Sequence, residues 1–161
     1  MSSFNGLIKA EFTPPKTWAL SRELIFKTDD LTDDEIGLLQ KAGIDFSDQG
    51  EIIVSEGFKT DLASVPRMLW AFISPWDIAR AAVIHDFLYF QCREYSTKTA
   101  FDSFLWKNVR RISDKIFLMA MDAAEPSVPS WKKKSAYYAV RAFGGKAAKG
   151  VVILPNDELN C

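Results

Sequence analysis

The residues best suited to chemistry lie in one apolar stretch of the sequence that contains the chain's only histidine, His85. Asp86 follows it directly, and Tyr89 lies four residues later, on the same face of a helix as His85. An imidazole and a carboxylate are costly to bury in an apolar helix unless both form hydrogen bonds. A buried pair of this kind is typical of a general base, which removes a proton from water or a substrate.

A second carboxylate, Asp102, falls in line with apolar residues of the next predicted helix. Positions 102, 105, 106 and 109 share one helical face and read Asp, Leu, Trp, Val. Because a carboxylate on an apolar face needs a buried partner, we predict that Asp102 orients His85 and stabilises its cationic form. The candidate catalytic residues are therefore His85, Asp102 and Tyr89. The alternative is a core histidine that bonds a carboxylate for purely structural reasons.

Other kinds of site are disfavoured by the residue types. One histidine and two distant cysteines, Cys92 and Cys161, cannot supply the usual ligands of a zinc site. No glycine-rich loop that could cradle a phosphate is present. Cys92 lies two helical turns after His85, which leaves a thiol nucleophile open, although a cysteine packed in the core is far more common.

The first half of the chain carries strand patterns around one short helix. We predict strands at residues 7–12, 18–27 and 51–56. Thr32 and Glu35 form a capping box, in which the hydroxyl and the carboxylate satisfy free amides of the first helical turn. Gly43 should end this helix, since glycine readily adopts the left-handed conformation of a C-cap.

The second half carries helical patterns. Residues 76–90 are apolar almost all round, which predicts a central, buried helix. We predict further helices over residues 68–74, after Thr97 or Thr99, over about residues 114–124, and from a cap at Ser130 to Gly144.

Strands followed by helices predict an α+β fold, with N-terminal antiparallel strands packed on a C-terminal helical bundle around a central buried His-Asp helix. We predict one domain over residues 1–161, with a strand-rich part at 1–58, a helical part at 64–145 and a C-terminal tail at 151–161. The composition, 48% hydrophobic, is typical of a packed globule and excludes a disordered chain. No apolar run approaches the ~20 residues that span a bilayer, so we predict no transmembrane segment.

The net charge of −1 hides a marked asymmetry along the chain. Residues 105–149 contain ten Lys or Arg against three Asp or Glu. A basic helical face made of residues 131–134 with Lys107, Arg110 and Arg111 could contact phosphate groups of nucleic acid or lipid. An ordinary solvated helix face is the alternative interpretation.

Two blocks of the sequence, residues 57–67 and 81–89, resemble the phage-encoded family known as domain of unknown function 1353. Residues 100–104 and 138–144 add to the resemblance, which spans about residues 18–145. The resemblance implies origin in a phage or prophage genome. We expect a virion-associated protein, of the tail or its attachment region, that is assembled in the bacterial host cytoplasm. Its expected partners are other phage structural proteins, and a homo-oligomer stays open.

A more local resemblance is to phospholipase A2-like proteins, which carry a His-Asp-x-x-Tyr helix and a later helix with an aspartate. It implies that His85 activates water, that Asp86 binds calcium and that Asp102 orients the imidazole. No cofactor is certain from the residues, and calcium is the ion that this resemblance implies. Asp61 is the second candidate calcium ligand, and we predict that it reaches the His85 site.

The sequence departs from the phospholipase pattern in two places. The glycine-rich calcium loop is absent, and Leu88 stands where those enzymes have a half-cystine.

Two other functions remain as alternatives to the virion protein. One is a calcium-assisted hydrolase of lipid esters or cell-envelope material, and the other is a small intracellular phage effector that binds a host protein.

Overall fold

The computed structural model describes residues 1–14, 17–60, 78–98, 100–125 and 127–149 of the chain. Strands precede helices, apart from one short helix between the fourth and fifth strands, which confirms the predicted α+β class. The strands are β1 Ser3–Phe4, β2 Ala10–Thr13, β3 Thr17–Leu20, β4 Leu24–Lys27, β5 Glu51–Val54 and β6 Lys59–Thr60. The helices are α1 Asp33–Ala42, α2 Ala79–Ser96, α3 Ser103–Asp122, α4 Ser130–Phe143 and α5 Gly145–Lys149.

The strands form two three-stranded antiparallel sheets, in the orders β1-β4-β5 and β2-β3-β6. The prediction of a single strand over residues 18–27 is wrong, because β3 and β4 are separate strands in different sheets. Three consecutive exposed polar residues, 21–23, stand between buried Leu20 and buried Leu24 and interrupt the alternation of a strand. Alternate residues of β4 and β5 then point into the core.

Helix α1 has the predicted ends. The Thr32 hydroxyl accepts a hydrogen bond from the Glu35 amide at 3.3 Å, and the Glu35 carboxylate accepts one from the Thr32 amide at 3.1 Å. Gly43 follows the helix with φ of 76°, in the left-handed region that favours glycine. The capping box and the glycine C-cap are both confirmed.

Helix α2 is the central element, as predicted. It packs against α3, α5 and β5, and its side chains are buried on nearly every side. It continues past the predicted end at residue 90, because buried Cys92 and Tyr95 extend its apolar face by another turn and more. The predicted start at residue 76 and the predicted helix over residues 68–74 lie outside the described residues.

Helix α3 replaces two predicted helices with one of 20 residues. The separate helix over residues 114–124 is wrong, since no glycine or proline interrupts the chain and buried residues recur at helical spacing through Ile112 and Ile116. Helix α4 ends next to Gly144 as predicted. Its N-cap is Pro129, which forms no side-chain capping hydrogen bond, and Ser130, the predicted cap, is the first residue of the helix. No helix in the described part is long and apolar enough to cross a membrane.

Candidate functional site

Three helices meet at one buried carboxylate, that of Asp114 on α3. From α2, the Nε2 atom of His85 lies 2.9 Å from Asp114 Oδ1, and the Tyr89 hydroxyl donates to the same oxygen at 2.7 Å. From α4, Arg141 Nη1 donates to Oδ2 at 2.8 Å. His85 and Asp114 are both fully buried. The carboxylate therefore joins three elements that are distant in sequence.

Positive charge keeps Asp114 ionised in this interior. Burial opposes its ionisation, but the hydrogen bonds from His85, Arg141 and Tyr89 outweigh burial and hold the pKa of Asp114 below its ordinary value. A second guanidinium, that of Arg110, lies with Nε 4.0 Å from Oδ2. Two arginines thus compensate one carboxylate, and the imidazole need not carry a charge.

His85 is accordingly held in its neutral form. Burial lowers the pKa of His85 below its ordinary value, and the hydrogen bond and charge of Asp114 only partly oppose this effect. An ionised carboxylate only accepts hydrogen bonds, so the hydrogen of the neutral ring must be on Nε2. The lone pair is then on Nδ1, which has no hydrogen-bond partner among the described residues.

Packing fixes the plane of this imidazole. The ring centroid of His85 lies 4.0 Å from that of Tyr89 and 4.6 Å from that of Phe117, one on α2 and the other on α3. Aromatic contacts at these distances add to the hydrogen bond in restricting the ring's rotation. The basic nitrogen Nδ1 therefore has one defined direction.

The Tyr89 hydroxyl is enclosed by neighbouring groups. Burial and the charge of Asp114 raise the pKa of Tyr89, so it acts as a hydrogen-bond donor and not as an acid at neutral pH. Arg110 Nε donates to the hydroxyl oxygen at 3.3 Å. A Cβ atom at Gly144 would lie 2.5 Å from the same oxygen. Gly144, with φ of −69°, is therefore needed for this close approach and not for a left-handed conformation.

Asp102 does not join the site. It precedes the first residue of α3, and its exposed carboxylate accepts hydrogen bonds from the amides of Phe104 and Leu105 at 2.8 and 3.3 Å. It is the N-cap of the helix, a position that aspartate strongly favours. The predicted pairing of Asp102 with His85 is wrong, and Asp114 has that place.

The candidate calcium ligands do not form a metal site in the described part of the chain. The Asp86 carboxylate is half-buried and accepts a hydrogen bond from the Thr60 hydroxyl. Asp61 lies outside the described residues, as does its predicted approach to His85. No group of three or more His, Cys, Asp or Glu side chains placed to hold a metal occurs among the residues described.

Cys92 is a core thiol. Its Sγ lies 3.7 Å from the Ser113 hydroxyl, and burial raises the pKa of Cys92 to about 11. Since only the thiolate is a strong nucleophile, a protonated thiol at neutral pH does not support a Cys92–His85 nucleophile pair.

Sequence reasoning missed Asp114 and the two arginines. Asp114 precedes buried Phe117 by three residues and buried Met121 by seven, so it lies in line with an apolar face, just as Asp102 does. The predicted start of a separate helix at residue 114 hid this signal. Nothing in the local sequence distinguishes Arg110 and Arg141 from solvated surface cations.

The fold and site define an α+β protein with a histidine–aspartate pair buried among three helices. The comparison with protein families matches residues 37–140, more than half of the chain, to the family described as "Protein of unknown function (DUF1353)". The chain belongs to this family. The match contains His85, Tyr89 and Asp114 and ends one residue before Arg141. Comparisons with curated proteins and with solved structures find no match, so none supports the phospholipase resemblance.

Proposed function

We propose that this protein is a hydrolase in which His85 activates water through Nδ1. The observation that supports this most strongly is the free lone pair on Nδ1 in a neutral imidazole whose other nitrogen bonds Asp114. A buried acceptor without a partner costs about 1–3 kcal/mol. A histidine with a purely structural role has no need to keep such an acceptor, whereas a general base requires it.

The reaction that suits this arrangement is ester hydrolysis. Nδ1 takes a proton from water as the water oxygen attacks the ester carbonyl, and the resulting tetrahedral intermediate releases the alcohol as it accepts the proton from Nδ1. The imidazolium formed in between is stabilised by the Asp114 carboxylate, which acts as a positioning residue. Asp114 thus takes the role that the phospholipase resemblance gave to Asp102. Because Nδ1 is buried, turnover also requires that the packing around it opens to substrate.

The substitution His85→Gln tests this proposal cleanly. The glutamine amide nitrogen can still donate to Asp114, as Nε2 does, but the side chain supplies no base. We expect the wild type to hydrolyse esters, assayed with p-nitrophenyl acyl esters and phospholipid vesicles, each with calcium and with a chelator. The variant should lose roughly 100-fold or more of the rate while its circular dichroism stays unchanged.

Asp102→Asn is the matched control, because asparagine caps a helix as well as aspartate does. It should keep the full rate, since Asp102 lies outside the site. A well-folded wild type without ester hydrolysis in every condition would refute the proposal. Equal rates for wild type and His85→Gln would refute it too.

We also propose that the protein is virion-associated, in the tail or its attachment region, and acts through contacts with other phage structural proteins. Large exposed aromatic side chains on α3 and α4 support contact with partners, since such side chains are enriched in protein interfaces. They are Phe104, Trp131, Tyr138 and Phe143. The test is mass spectrometry of purified particles, where we expect the chain at a fixed stoichiometry. Its presence in infected cells but not in particles would contradict this proposal and favour an intracellular effector.

A further inference from the structure

A cavity of about 600 Å³ opens beside α3, the end of α4 and α5. Its volume is that of a site for a small molecule. One part of its wall is apolar and is formed by Trp106, Ala142 and Phe143. The other part is cationic and is formed by Arg110, Lys146 and Lys149.

Within the described part of the chain, the lysines of the cationic wall have no acidic partner. None of the described lining residues is acidic, and neither Lys146 nor Lys149 forms a salt bridge within the described part of the chain. Both lysines are exposed. The carboxylate near Arg110 is Asp114, which already accepts from Arg141 at 2.8 Å. The cavity therefore presents a surplus of positive charge, which attracts an anion.

Arg110 is held rigidly at this wall by contacts behind it. Its Nη2 donates to the carbonyls of Val140 and Arg141 at 2.8 and 2.7 Å, and its Nε donates to Tyr89. Its Nη1 has no hydrogen bond to any described residue. This atom lies beside Gly145, and a Cβ atom added to Gly145 would be 3.4 Å from it. Because Gly145 also lines the cavity, the missing side chain leaves a preorganised guanidinium donor accessible from inside.

The apolar part of the wall suits a flat ring. Trp106 is buried, and its indole Nε1 has no hydrogen-bond partner among the described residues. Phe143 also lines the cavity and is 69% exposed, so its ring is accessible to a ligand. Two aromatic side chains at one cavity can sandwich or flank an aromatic ligand.

We propose that this cavity binds a small phosphate monoester that carries an aromatic ring system. The phosphate would accept hydrogen bonds from Lys146, Lys149 and Arg110 Nη1, and the ring would pack against Trp106 and Phe143. The binding is independent of ester hydrolysis at His85, so the two proposals fail or hold separately.

Isothermal titration calorimetry with 1-naphthyl phosphate tests the site on the full chain. We expect one molecule bound per chain, and weaker binding for both inorganic phosphate and 1-naphthol, each of which supplies half of the recognised chemistry. Lys146→Ala combined with Lys149→Ala should weaken binding tenfold or more, and 0.5 M salt should weaken binding to the wild type.

The matched control is Lys107→Ala combined with Lys134→Ala. These exposed lysines lie on α3 and α4 and do not line the cavity. The same loss of charge at these positions should therefore change the affinity less than twofold. Equal weakening by both double variants would overturn the site, since it would show nonspecific attraction. Inorganic phosphate that binds as tightly as 1-naphthyl phosphate would overturn the aromatic half of the proposal, and no binding at millimolar ligand would overturn all of it.

Discussion

Mild acid should destabilise the fold through His85. Because burial lowers the pKa of this imidazole in the folded protein, the ring stays neutral there while the unfolded chain gains a proton below pH 6.5. The unfolded state then binds more protons than the folded state. Stability is therefore unaffected above the unfolded pKa and falls as the pH drops from 6.5 toward the folded pKa.

The upper limit of this effect follows from the titration of one imidazole in the unfolded chain. Each pH unit in the sensitive range costs about 1.4 kcal/mol for one proton taken up only by the unfolded chain. Between pH 7 and pH 5 the loss in free energy of unfolding is at most about 2 kcal/mol, the value for an imidazole that stays neutral in the folded protein over this whole range. Asp114 adds little in this window, because its pKa is held below 3.8 in the folded state and it is ionised in both states.

Urea unfolding of wild type and His85→Gln at pH 7, 6 and 5 measures this difference. Other titrating groups contribute equally to both proteins, so the difference between the two curves isolates His85. The control Tyr89→Phe removes one hydrogen bond to Asp114 but keeps the imidazole, and it should retain the wild-type pH dependence. Parallel pH profiles for wild type and His85→Gln would refute the assignment of a neutral, buried imidazole.

Two further substitutions probe the same site. Asp114→Asn leaves the Arg141 guanidinium without its carboxylate. Because the Arg141 side chain is 33% exposed and water can hydrate it, we expect a loss of about 1–3 kcal/mol, measurable by urea unfolding. A loss below about 1 kcal/mol would contradict the ionised state of Asp114. Gly144→Ala places a methyl group 2.5 Å from the Tyr89 hydroxyl, so we expect a loss of about 1–3 kcal/mol, with an unchanged melting temperature counting against this contact.

The local part of the site could be predicted from the sequence, and the carboxylate partner could not. His85 and Tyr89 follow from the apolar periodicity of one helix, which is a short-range pattern. Asp102 and Asp114 both align with apolar positions of α3. A helix that starts just after an aspartate uses that carboxylate as a cap, and this local bond competes with burial. Only the length of α3 decides which aspartate is free to face the imidazole.

The arginines and the sheets depend on contacts between distant segments. Arg110 and Arg141 have the sequence pattern of exposed cations, and they turn inward because a carboxylate and free helix carbonyls lie within reach. The placement of β3 and β4 in two different sheets likewise depends on partner strands that lie far along the chain. By contrast, the capping box of Thr32 and Glu35 was predicted correctly, because all of its atoms belong to one turn.

A chain with one histidine carries a built-in spectroscopic reporter. The Nε2 proton of His85 lies between helices α2 and α3. It is protected from exchange with solvent only while both helices are packed and Arg141 is bonded to Asp114. Its single imidazole resonance in a nitrogen-edited spectrum needs no assignment. The exchange lifetime of that proton therefore measures how often helices α2 and α3 separate, in any variant or in the presence of any bound molecule.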